Sequence, residues 1–505
     1  MRQHHSFADP GPSQLSAAVT TQEVEAQCRR LHNHRAPNPL PGAAVTNELL
    51  KYGGPALHAA LAALFSLQMD LEAQARTPGV IRPVYKKGDP AEPANYRPIT
   101  LGSAIDKLYH LVLNDRLLQH LEATGGLHEA QHGFRANRSA VDNIFMLRAC
   151  IDARLKAKLD TYVLFLDIEK AYDTVWKGGL LWHLWHKGVR GKLFRVLANM
   201  TDATEFFVLH GGALSDPLCP DLGWEQGDTL ATTMFNVFID SVLSAVWREC
   251  PGIALPGVHP AGVDRLVALM YADDFAGLAA SLPELQTLAD STRTALQRWR
   301  LTASISATDA SKTAAMCIAA RRPRSQPQQQ QPAVAWGEGG VVPWATSYRY
   351  LGVQVTADGK WEEHLQHRMG VADATARCQR RVMTHRTLPI SLRKLVLTAV
   401  VQPALTFAAQ VWMRPTQQLR TRLDSWQMGW AARALHCPAT ASHMCLQQEL
   451  GLMPLHMWCD TLVLRYWHHV MSLPAHRLVA AVAHADMTVW RGPWQQTVAQ
   501  LLERY

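Results

Sequence analysis

The sequence predicts an α+β fold in which a small antiparallel sheet is accompanied by many helices. Short apolar runs rich in β-branched and aromatic residues, at 161–166 and 266–280, indicate buried strands, the second of them folded into a hairpin. Leucines at helical spacing, as in 106–121, indicate amphipathic helices, and from Trp361 onward the pattern is mainly helical. With 505 residues and 48% hydrophobic content, the chain has room for roughly two to four domains with sizeable cores.

Composition narrows the class of protein. The nine cysteines have no paired spacing, which predicts neither a disulfide framework nor a zinc ribbon and favours a reducing, intracellular setting. We therefore expect a protein of the nucleus or cytoplasm that is not secreted. The first thirty residues lack an apolar core, so no signal peptide is expected. No run of about 18 uninterrupted apolar residues occurs, so no membrane partner is expected either.

The N-terminal third is predicted to pass from disorder into helices and a short hairpin. Residues 1–40 mix His, Gln, Pro and Ser without periodicity, which is typical of disorder. One or two helices are expected between 48 and 75, followed by a strand at 80–85 that leads into Lys86 and Lys87. Two cations on a turn suit contacts to a triphosphate, although a solvated surface turn explains these residues equally well. After a helix over 106–121, Ser139 is expected to begin the next helix.

Three aspartates stand at the ends of apolar strands. Asp167 follows the buried run 161–166, and Asp273 and Asp274 form the tip of the predicted hairpin. A buried carboxylate is costly unless it is paired, and no Lys or Arg is adjacent to the hairpin tip, which indicates a bound cation as the partner. Oxygen ligands of this kind favour Mg²⁺, and two such ions are the means of phosphoryl transfer in polymerases.

Between the strands that carry the aspartates, further helices and short strands are expected. A helix at 192–200, a strand near 205–209 and a helix through Val246 precede the acidic hairpin. Ser281 and Glu284 form a capping box for a helix that continues to about Trp299. Lys312 begins a loop that enters a strand, and 321–340 is expected to be a disordered Gln/Pro-rich insertion before a strand or hairpin at 348–355.

The segment from His364 to His436 is strongly basic. It contains eleven Arg or Lys residues against two aspartates, a charge of +9 compared with +8 for the whole chain. A basic block of this kind fits a phosphate backbone as its partner, and a solvated helical surface is the alternative interpretation.

An ordered series of motifs resembles the reverse transcriptases of non-LTR (LINE-like) retrotransposons. The series covers most of the chain, and its order and spacing make it specific. It comprises NYRPI (95–99), QHGFR (131–135), FLDIEKAYD (165–173), QGD (226–228), YADD (271–274), KT (312–313) and YLG (350–352).

The resemblance implies a right-hand polymerase with fingers, an antiparallel-sheet palm and a helical thumb. On this basis 41–160 is expected to hold the fingers and the start of the palm, and 161–360 the palm with its catalytic motifs. The basic helical thumb is placed at 361–455, and 456–505 is a helical tail without an assigned role. The function implied is RNA-directed DNA polymerisation, with an RNA template, a DNA primer and dNTPs as partners. Other domains of a longer element polyprotein are further partners that the resemblance suggests.

The resemblance also assigns roles to individual residues. Asp167, Asp273 and Asp274 match the carboxylates that hold two Mg²⁺ ions, with Mn²⁺ as a substitute. Lys86, Lys87 and Arg97 match residues that contact the triphosphate. Gln226 and Gly227 match the loop that lies along the incoming nucleotide and the template, and Tyr172 matches the aromatic residue that excludes a ribose 2′-hydroxyl. Lys312 matches a lysine beside the leaving pyrophosphate, where it would act as a general acid; a surface cation is the alternative.

Some features leave other functions open. The family usually continues Gln-Gly-Asp with a Pro-Leu-Ser-Pro type segment, whereas this chain has TLATT at 229–233. A decayed retroelement remnant that only binds nucleic acid is therefore an alternative, and a group II intron maturase is a third possibility. A zinc knuckle built from His436, Cys437, His443, Cys445 and Cys459 is disfavoured by their irregular spacing. No endonuclease or RNase H pattern is apparent in the sequence.

Overall fold

Helices form most of the chain, and short strands lie between residues 79 and 356. The computed structural model describes residues 14–35, 38–40, 45–72, 77–86, 88–201, 205–219, 222–223, 227–256, 264–306, 308–320, 332–438 and 440–505. The helices are α1 (Thr21–Arg30), α2 (Asn47–Tyr52), α3 (Gly54–Asp70), α4 (Ala104–Ala123), α5 (Ala140–Lys156), α6 (Lys177–His186), α7 (Gly191–Thr201), α8 (Thr229–Glu249), α9 (Leu282–Arg298), α10 (Glu362–Cys378), α11 (Arg380–Met383), α12 (Ile390–Val396), α13 (Gln402–Thr406), α14 (Ala409–Trp412), α15 (Gln417–Leu435), α16 (His443–Leu450), α17 (Leu455–Ser472), α18 (Leu478–Ala485) and α19 (Pro493–Arg504). The strands are β1 (Gly79–Tyr85), β2 (Tyr96–Leu101), β3 (Thr161–Leu166), β4 (Phe206–His210), β5 (Ala213–Leu214), β6 (Ile253–Ala254), β7 (Arg265–Leu266), β8 (Ala268–Tyr271), β9 (Asp274–Ala279), β10 (Ala314–Ile318), β11 (Val334–Trp336), β12 (Gly340–Val342), β13 (Ser347–Tyr350) and β14 (Val353–Thr356). This mixture confirms the α+β class.

Packing divides the chain into two units, neither of which is continuous in sequence. The first holds the described residues up to Phe134, then Ile168–Ser244 and Thr294–Thr302. The second holds Arg135–Asp167, Ala245–Arg293 and Ala303–Tyr505. The limits of these units do not coincide with the predicted boundaries at 40, 160, 360 and 455, so the finer division into fingers, palm and thumb stays a prediction.

The first unit contains a mixed sheet in the order β2-β1-β4-β5. Strands β1 and β2 form an antiparallel hairpin from Val80↔Leu101 to Tyr85↔Tyr96, and β4 pairs with β1 in parallel. The rings of Tyr85 and Tyr96 meet edge to face at 5.6 Å near the tip of the hairpin. The predicted strands at 80–85 and 205–209 are thus confirmed.

The expected disorder of residues 1–40 is wrong for 21–30, which form α1. Thr20 and Glu23 make a capping box at its start, and Val24 and Cys28 are buried. The guanidinium of Arg116, on α4, donates to both carboxylate oxygens of Glu23, at 2.6 and 2.9 Å. A short helix without strong periodicity is marginal alone, so its stability comes from this packing, which a local reading of the sequence does not contain.

The second unit is built on an antiparallel sheet in the order β10-β3-β9-β8. Its central strands are almost fully buried, with Val163 to Phe165 on β3 and Ala276 to Ala279 on β9. Helix α5 lies against β3 and β8, and begins at the predicted Ser139, whose side chain caps the helix. Burial of this sheet on both faces explains why its strands read as continuous apolar runs rather than as an alternating pattern.

The C-terminal residues pack onto α5 in the same unit. The Tyr466 hydroxyl donates to Asp142 at 3.0 Å, and the ring of Trp494 lies 4.6 Å from that of Phe145. A separate apolar core joins α10, α11, α15 and α16 and includes Leu397, Met428, Ala431 and Leu450. The tail 456–505 is therefore an integral part of the second unit.

The expected disorder of 321–340 is also wrong in part. Residues 321–331 lie outside the described residues, but β11 and β12 form an antiparallel hairpin from Val334↔Val342 to Trp336↔Gly340. Both valines are fully buried, and the side-chain amide of Gln286 makes two hydrogen bonds to the backbone of Ala335, at 2.8 and 2.9 Å. Burial of these valines and the contact with Gln286 thus stabilise a hairpin that the polar composition of the residues before it does not indicate.

Helix α8 is the one described helix whose length and composition would allow it to cross a membrane. Its mean hydropathy is 1.4, and 72% of the apolar window is buried within the protein. That burial is typical of a core helix.

Candidate functional site

Asp167 lies at the end of β3, opposite the acidic turn. The register of β3 and β9 pairs Leu166 with Phe275, and Asp167 and Asp274 are the residues next to this last pair. Directly opposed residues in an antiparallel ladder have Cα atoms about 4.5–5.5 Å apart. Two predicted aspartates that are separated by more than a hundred residues are thereby brought to adjacent strand ends.

Asp273 lies in a tight turn between β8 and β9. Tyr271 and Asp274 form the last pair of the hairpin, which leaves Ala272 and Asp273 as a two-residue connection. Ala272 has a φ of 58°, in the left-handed region that a residue with a Cβ seldom adopts, and its side chain is buried. Such a conformation costs on the order of 1–3 kcal/mol and is maintained by the surrounding sheet. The predicted hairpin tip is confirmed.

The charges of the three aspartates act on one another. The pKa of Asp274 is raised to about 6, because partial removal of its carboxyl group from water disfavours ionisation and the charges of Asp273 and Asp167 add to that effect. Asp274 nevertheless retains contact with solvent. The Lys312 ammonium lies 3.5 Å from Asp167, and both of these side chains are partly exposed. The cluster therefore has an excess of negative charge that remains open to a ligand.

Ser304 and Thr313 hold Asp167 through its backbone. The Asp167 N–H donates to the Thr313 hydroxyl at 3.2 Å, and the Ser304 N–H donates to the Asp167 carbonyl at 2.8 Å. The Ser304 hydroxyl also accepts a hydrogen bond from the Lys312 ammonium at 3.2 Å. Sequence reasoning assigned no role to Ser304, and the segment around it contains no signal that would have revealed one.

Tyr348 joins Lys312 to the sheet. Its hydroxyl donates to the Lys312 carbonyl, and its ring stacks on Phe165 of β3 with centroids 4.2 Å apart. Burial raises the pKa of Tyr348, and the nearby charges of Asp274 and Asp167 raise it further. Its place beside the Leu351-Gly352 turn, on the strand β13, is the one sequence feature that could have drawn attention to it.

No preformed three-ligand metal site is found around these carboxylates in the part of the chain that the structure describes. Across the described ranges, no group of three or more His, Cys, Asp or Glu side chains is arranged to hold a metal ion. The register of the strands places Asp167 beside the acidic turn, and the charges of Asp167 and Asp273 affect the pKa of Asp274. Their carboxylate oxygens are ligands that suit a hard divalent cation.

Several predicted substrate-binding residues belong to the first unit. Arg97 pairs with Val84 across the β1–β2 hairpin, and the Lys86 N–H continues the ladder by donating to the Asn95 carbonyl at 2.8 Å. Both cationic side chains are exposed. Because side chains two residues apart leave the same face of a strand, Lys86 and Arg97 project from one face of the hairpin.

Tyr172 and Gly227 are also in the first unit. The Tyr172 ring stacks on Phe235 of α8 with centroids 4.5 Å apart. Gly227 has a φ of 117°, and a Cβ at that position would lie 3.1 Å from the Thr100 carbonyl oxygen, so a close backbone approach requires glycine there. Lys87 and Gln226 lie outside the described residues, and the roles of all these residues stay predictions.

The basic segment 364–436 is less available to a ligand than its charge suggests. Arg393 is buried and donates to the carbonyls of Leu388 and Ala434, and Arg368 donates to the carbonyl of Ala404. The exposed cations of the segment are Arg377, Arg380, Arg381, Arg386 and Arg433.

Other cations of this segment are paired with carboxylates. Arg420 pairs with the buried Asp460 at 3.0 Å, and Arg414 lies 3.5 Å from Asp152. Burial lowers the pKa of Arg414 to about 10, although the nearby Asp152 opposes the shift. Much of the positive charge in this segment therefore stabilises the fold.

Comparison with known proteins places this site in a family. A family model described as reverse transcriptase (RNA-dependent DNA polymerase) matches residues 84–355, more than half of the chain. The chain is 31% identical over 190 residues to a Pol polyprotein from the type-1 retrotransposable element R2 of Popillia japonica, covering 37% of this chain and 26% of that protein. It is 24% identical over 419 residues to a probable RNA-directed DNA polymerase from transposon BS of Drosophila melanogaster, covering 79% of this chain and 43% of that one.

A solved telomerase structure from Candida tropicalis matches with a TM-score of 0.39 and 11% identity, covering 85% of this chain and 68% of that chain, a likeness too distant to carry an inference. The chain spans less than half of the length of the retrotransposon relatives named above. The matched family segment contains Asp167, Asp273, Asp274 and Lys312. The chain belongs to the reverse transcriptase (RNA-dependent DNA polymerase) family, and the relatives named above are proteins of retrotransposable elements.

Proposed function

We propose that this chain is an RNA-directed DNA polymerase that extends a DNA primer along an RNA template. The primer 3′-oxygen would attack the α-phosphorus of a dNTP, lose its proton and form the new P–O bond as pyrophosphate leaves. The observation that carries the proposal is the meeting of Asp167 with the Asp273–Asp274 turn at one end of the β10-β3-β9-β8 sheet, within a reverse transcriptase sequence.

Two Mg²⁺ ions fit the chemistry of this cluster, with Mn²⁺ as a substitute. The donors are three carboxylates, and the pKa of Asp274 is raised by burial and, to a smaller extent, by the charges of Asp273 and Asp167, which shows that the three side chains are close enough to interact. Bound metal ions would supply Lewis-acid activation of the 3′-hydroxyl and stabilisation of the leaving group. Since Mg²⁺ commonly keeps substrate phosphates among its ligands, the carboxylates need not form a closed site alone.

Lys312 is the proton donor that we assign to the leaving pyrophosphate. Its ammonium lies beside Asp167 and is held by the Ser304 hydroxyl, while Tyr348 fixes its backbone carbonyl. General-acid catalysis by such a group contributes on the order of 10²–10⁴-fold.

The first unit would bind the nucleotide and exclude ribonucleotides. Lys86 and Arg97, exposed on one face of the β1–β2 hairpin, would contact the triphosphate together with Lys87. Gln226 and Gly227 would lie along the incoming nucleotide, and the ring of Tyr172 would clash with a 2′-hydroxyl. The exposed arginines between 377 and 386 would bind the phosphates of the template–primer duplex.

Primer extension on poly(rA)/oligo(dT) with dTTP and Mg²⁺ tests this function. We expect extension by the wild-type chain, and a loss of at least about 10³-fold in Asp273→Asn with little change in affinity for the duplex. Asp216→Asn, which alters an exposed carboxylate in the first unit, is the matched control and should extend normally.

Near-normal extension by Asp273→Asn would refute the assignment of the acidic turn. Duplex binding by the wild-type chain without any extension would instead identify a decayed remnant. The greater length of the retrotransposon relatives is consistent with a chain that works as part of a longer polyprotein, and we infer an intracellular site of action.

A further inference from the structure

A buried hydrogen bond in the first unit joins α4 to the start of α8. The His110 Nδ1 lies 2.8 Å from an oxygen of Asp228, and the two side chains are only 4% and 6% exposed. Because a carboxylate only accepts, the imidazole donates this bond from Nδ1. A buried carboxylate is costly without such a donor, so the contact fixes where the chain enters α8.

The second oxygen of Asp228 acts on the backbone of α8. The Leu230 N–H donates to it at 3.2 Å, which places Asp228 as a cap at the first turn of the helix. Asp228 also lies within electrostatic range of Lys107 on α4, since its charge opposes the lowering of the pKa of Lys107 that burial and Arg35 produce. One carboxylate thus connects two helices.

Gly227, the residue before Asp228, is pressed against β2. A Cβ built on Gly227 would lie 3.1 Å from the Thr100 carbonyl oxygen, a tighter contact than most Cβ atoms make, and the φ of 117° also disfavours a side chain. Strand β2 also carries Arg97, one of the residues proposed to bind the triphosphate. The turn at 227–228 therefore contacts the β1–β2 hairpin on one side and His110 on the other.

We propose that His110 is a positioning residue for nucleotide binding, which acts through Asp228 to hold Gly227 at the nucleotide. This inference rests on the proposed function, since that function places Gly227 and Arg97 beside the dNTP. His110 itself does not touch substrate. Loss of its ring would leave the Asp228 carboxylate buried without that donor and allow the Gly227 turn to shift from β2. Small displacements of a binding group weaken the binding of the ligand that it contacts.

Equilibrium binding of dTTP tests the inference without requiring catalysis. The probe is dTTP with Mg²⁺ and poly(rA) annealed to an oligo(dT) primer that ends in a dideoxynucleotide, so that no extension takes place. We expect His110→Ala to weaken dTTP binding about tenfold while the affinity for the duplex changes less than about twofold. His110→Asn, whose amide can donate in place of Nδ1, should recover much of the dTTP affinity.

His120 supplies the matched control on the same helix. Its ring nitrogen lies 3.0 Å from the Lys187 carbonyl, so His120→Ala also removes a histidine contact of α4 but one remote from Asp228. Unchanged dTTP affinity in His110→Ala, or equal losses in His110→Ala and His120→Ala, would overturn the inference. An absence of measurable dTTP binding in the wild-type chain would also overturn it.

A double-mutant cycle separates positioning from general stability. If His110 acts through Asp228, the variant that combines His110→Ala with Asp228→Ala should bind dTTP about as weakly as Asp228→Ala alone. If the fold-losses in dTTP affinity of the two single variants multiply in the double variant, the inference is contradicted. Wild-type chain that binds dTTP but does not extend a normal primer would defeat the proposed polymerase function while leaving the role of His110 in binding supported.

Discussion

The acidic turn at 273–274 and the basic segment 364–436 are both concentrations of like charge in the second unit, and they differ in how those charges are partnered. At the turn, burial and then the charges of Asp273 and Asp167 raise the pKa of Asp274, and the Lys312 ammonium lies 3.5 Å from Asp167. In the basic segment, buried arginines such as Arg393 and Arg420 have backbone carbonyls or a carboxylate within hydrogen-bond distance.

This difference distinguishes charged side chains that are available to bind a ligand from charged side chains that stabilise the fold. Carboxylates of like charge destabilise one another when they lie close together, and we attribute their proximity here to the binding of the proposed metal ions. An arginine such as Arg393, whose guanidinium donates to backbone carbonyls from all three nitrogens, has no such freedom. Net charge alone does not distinguish the two situations, because it counts cations without their partners.

The largest expected effect tests whether buried arginines of the basic segment 364–436 stabilise the fold. Arg420→Met leaves Asp460 buried without its cation and should lower the free energy of unfolding by about 3–5 kcal/mol. Arg422, two residues along α15, pairs with Glu362 at 2.8 Å but is far more exposed, so Arg422→Met should cost less than about 1 kcal/mol. Chemical denaturation of both variants gives the comparison, and equal costs would show that burial does not decide the contribution of these pairs.

The next effect concerns the proton at Asp274. A carboxyl group with a pKa of about 6 loses its charge as the pH falls through that value, so proton and Mg²⁺ compete for it. The Mg²⁺ concentration for half-maximal extension should rise about tenfold for each pH unit below about 6 and stay constant between about 7 and 8. Magnesium titrations of single-nucleotide addition measure this, and a requirement that stays flat down to pH 5 would contradict it.

A smaller effect is expected from cations of the basic segment that remain exposed. Arg380→Ala combined with Arg381→Ala should weaken duplex binding several-fold and reduce the slope of log K against log salt by about 1–2. Removal of Arg29 and Arg504, two exposed arginines outside the segment, serves as the control and should leave that slope unchanged. Fluorescence anisotropy of a labelled duplex across a salt series provides the measurement.

The smallest effect is thermal. Because the folded-state pKa of Asp274 is above its ordinary value, the charged carboxylate destabilises the fold above about pH 6, and this penalty disappears as the pH falls from 6 towards 4. Asp274→Asn should therefore raise the Tm by about 1–2 °C at pH 7.5 without metal, and hardly change it near pH 4.5, since contact with solvent weakens the effect. A lower Tm for the variant at pH 7.5 would show that the carboxylate is stabilising.

Local pattern was enough to locate the elements of the catalytic sheet. The strand before Asp167 and the hairpin at 271–274 follow from apolar runs that end in acids, and the helix starts at Ser139 and Ser281 follow from capping residues a few positions away. These features depend on neighbours in sequence. The helix α1 and the β11–β12 hairpin were missed because their stability comes from distant partners, Arg116 for the first and Gln286 for the second.

The sequence by itself determined which residues we propose to carry the chemistry, because the motifs around Asp167, Asp273 and Lys312 are contiguous and ordered. Only the tertiary structure decided which charges remain available, since Arg420 meets Asp460 across 40 residues and Arg414 meets Asp152 across 262. The contact between His110 and Asp228 likewise joins residues 118 apart. Such pairings depend on how helices and strands pack in three dimensions, and no local spacing in the chain records them.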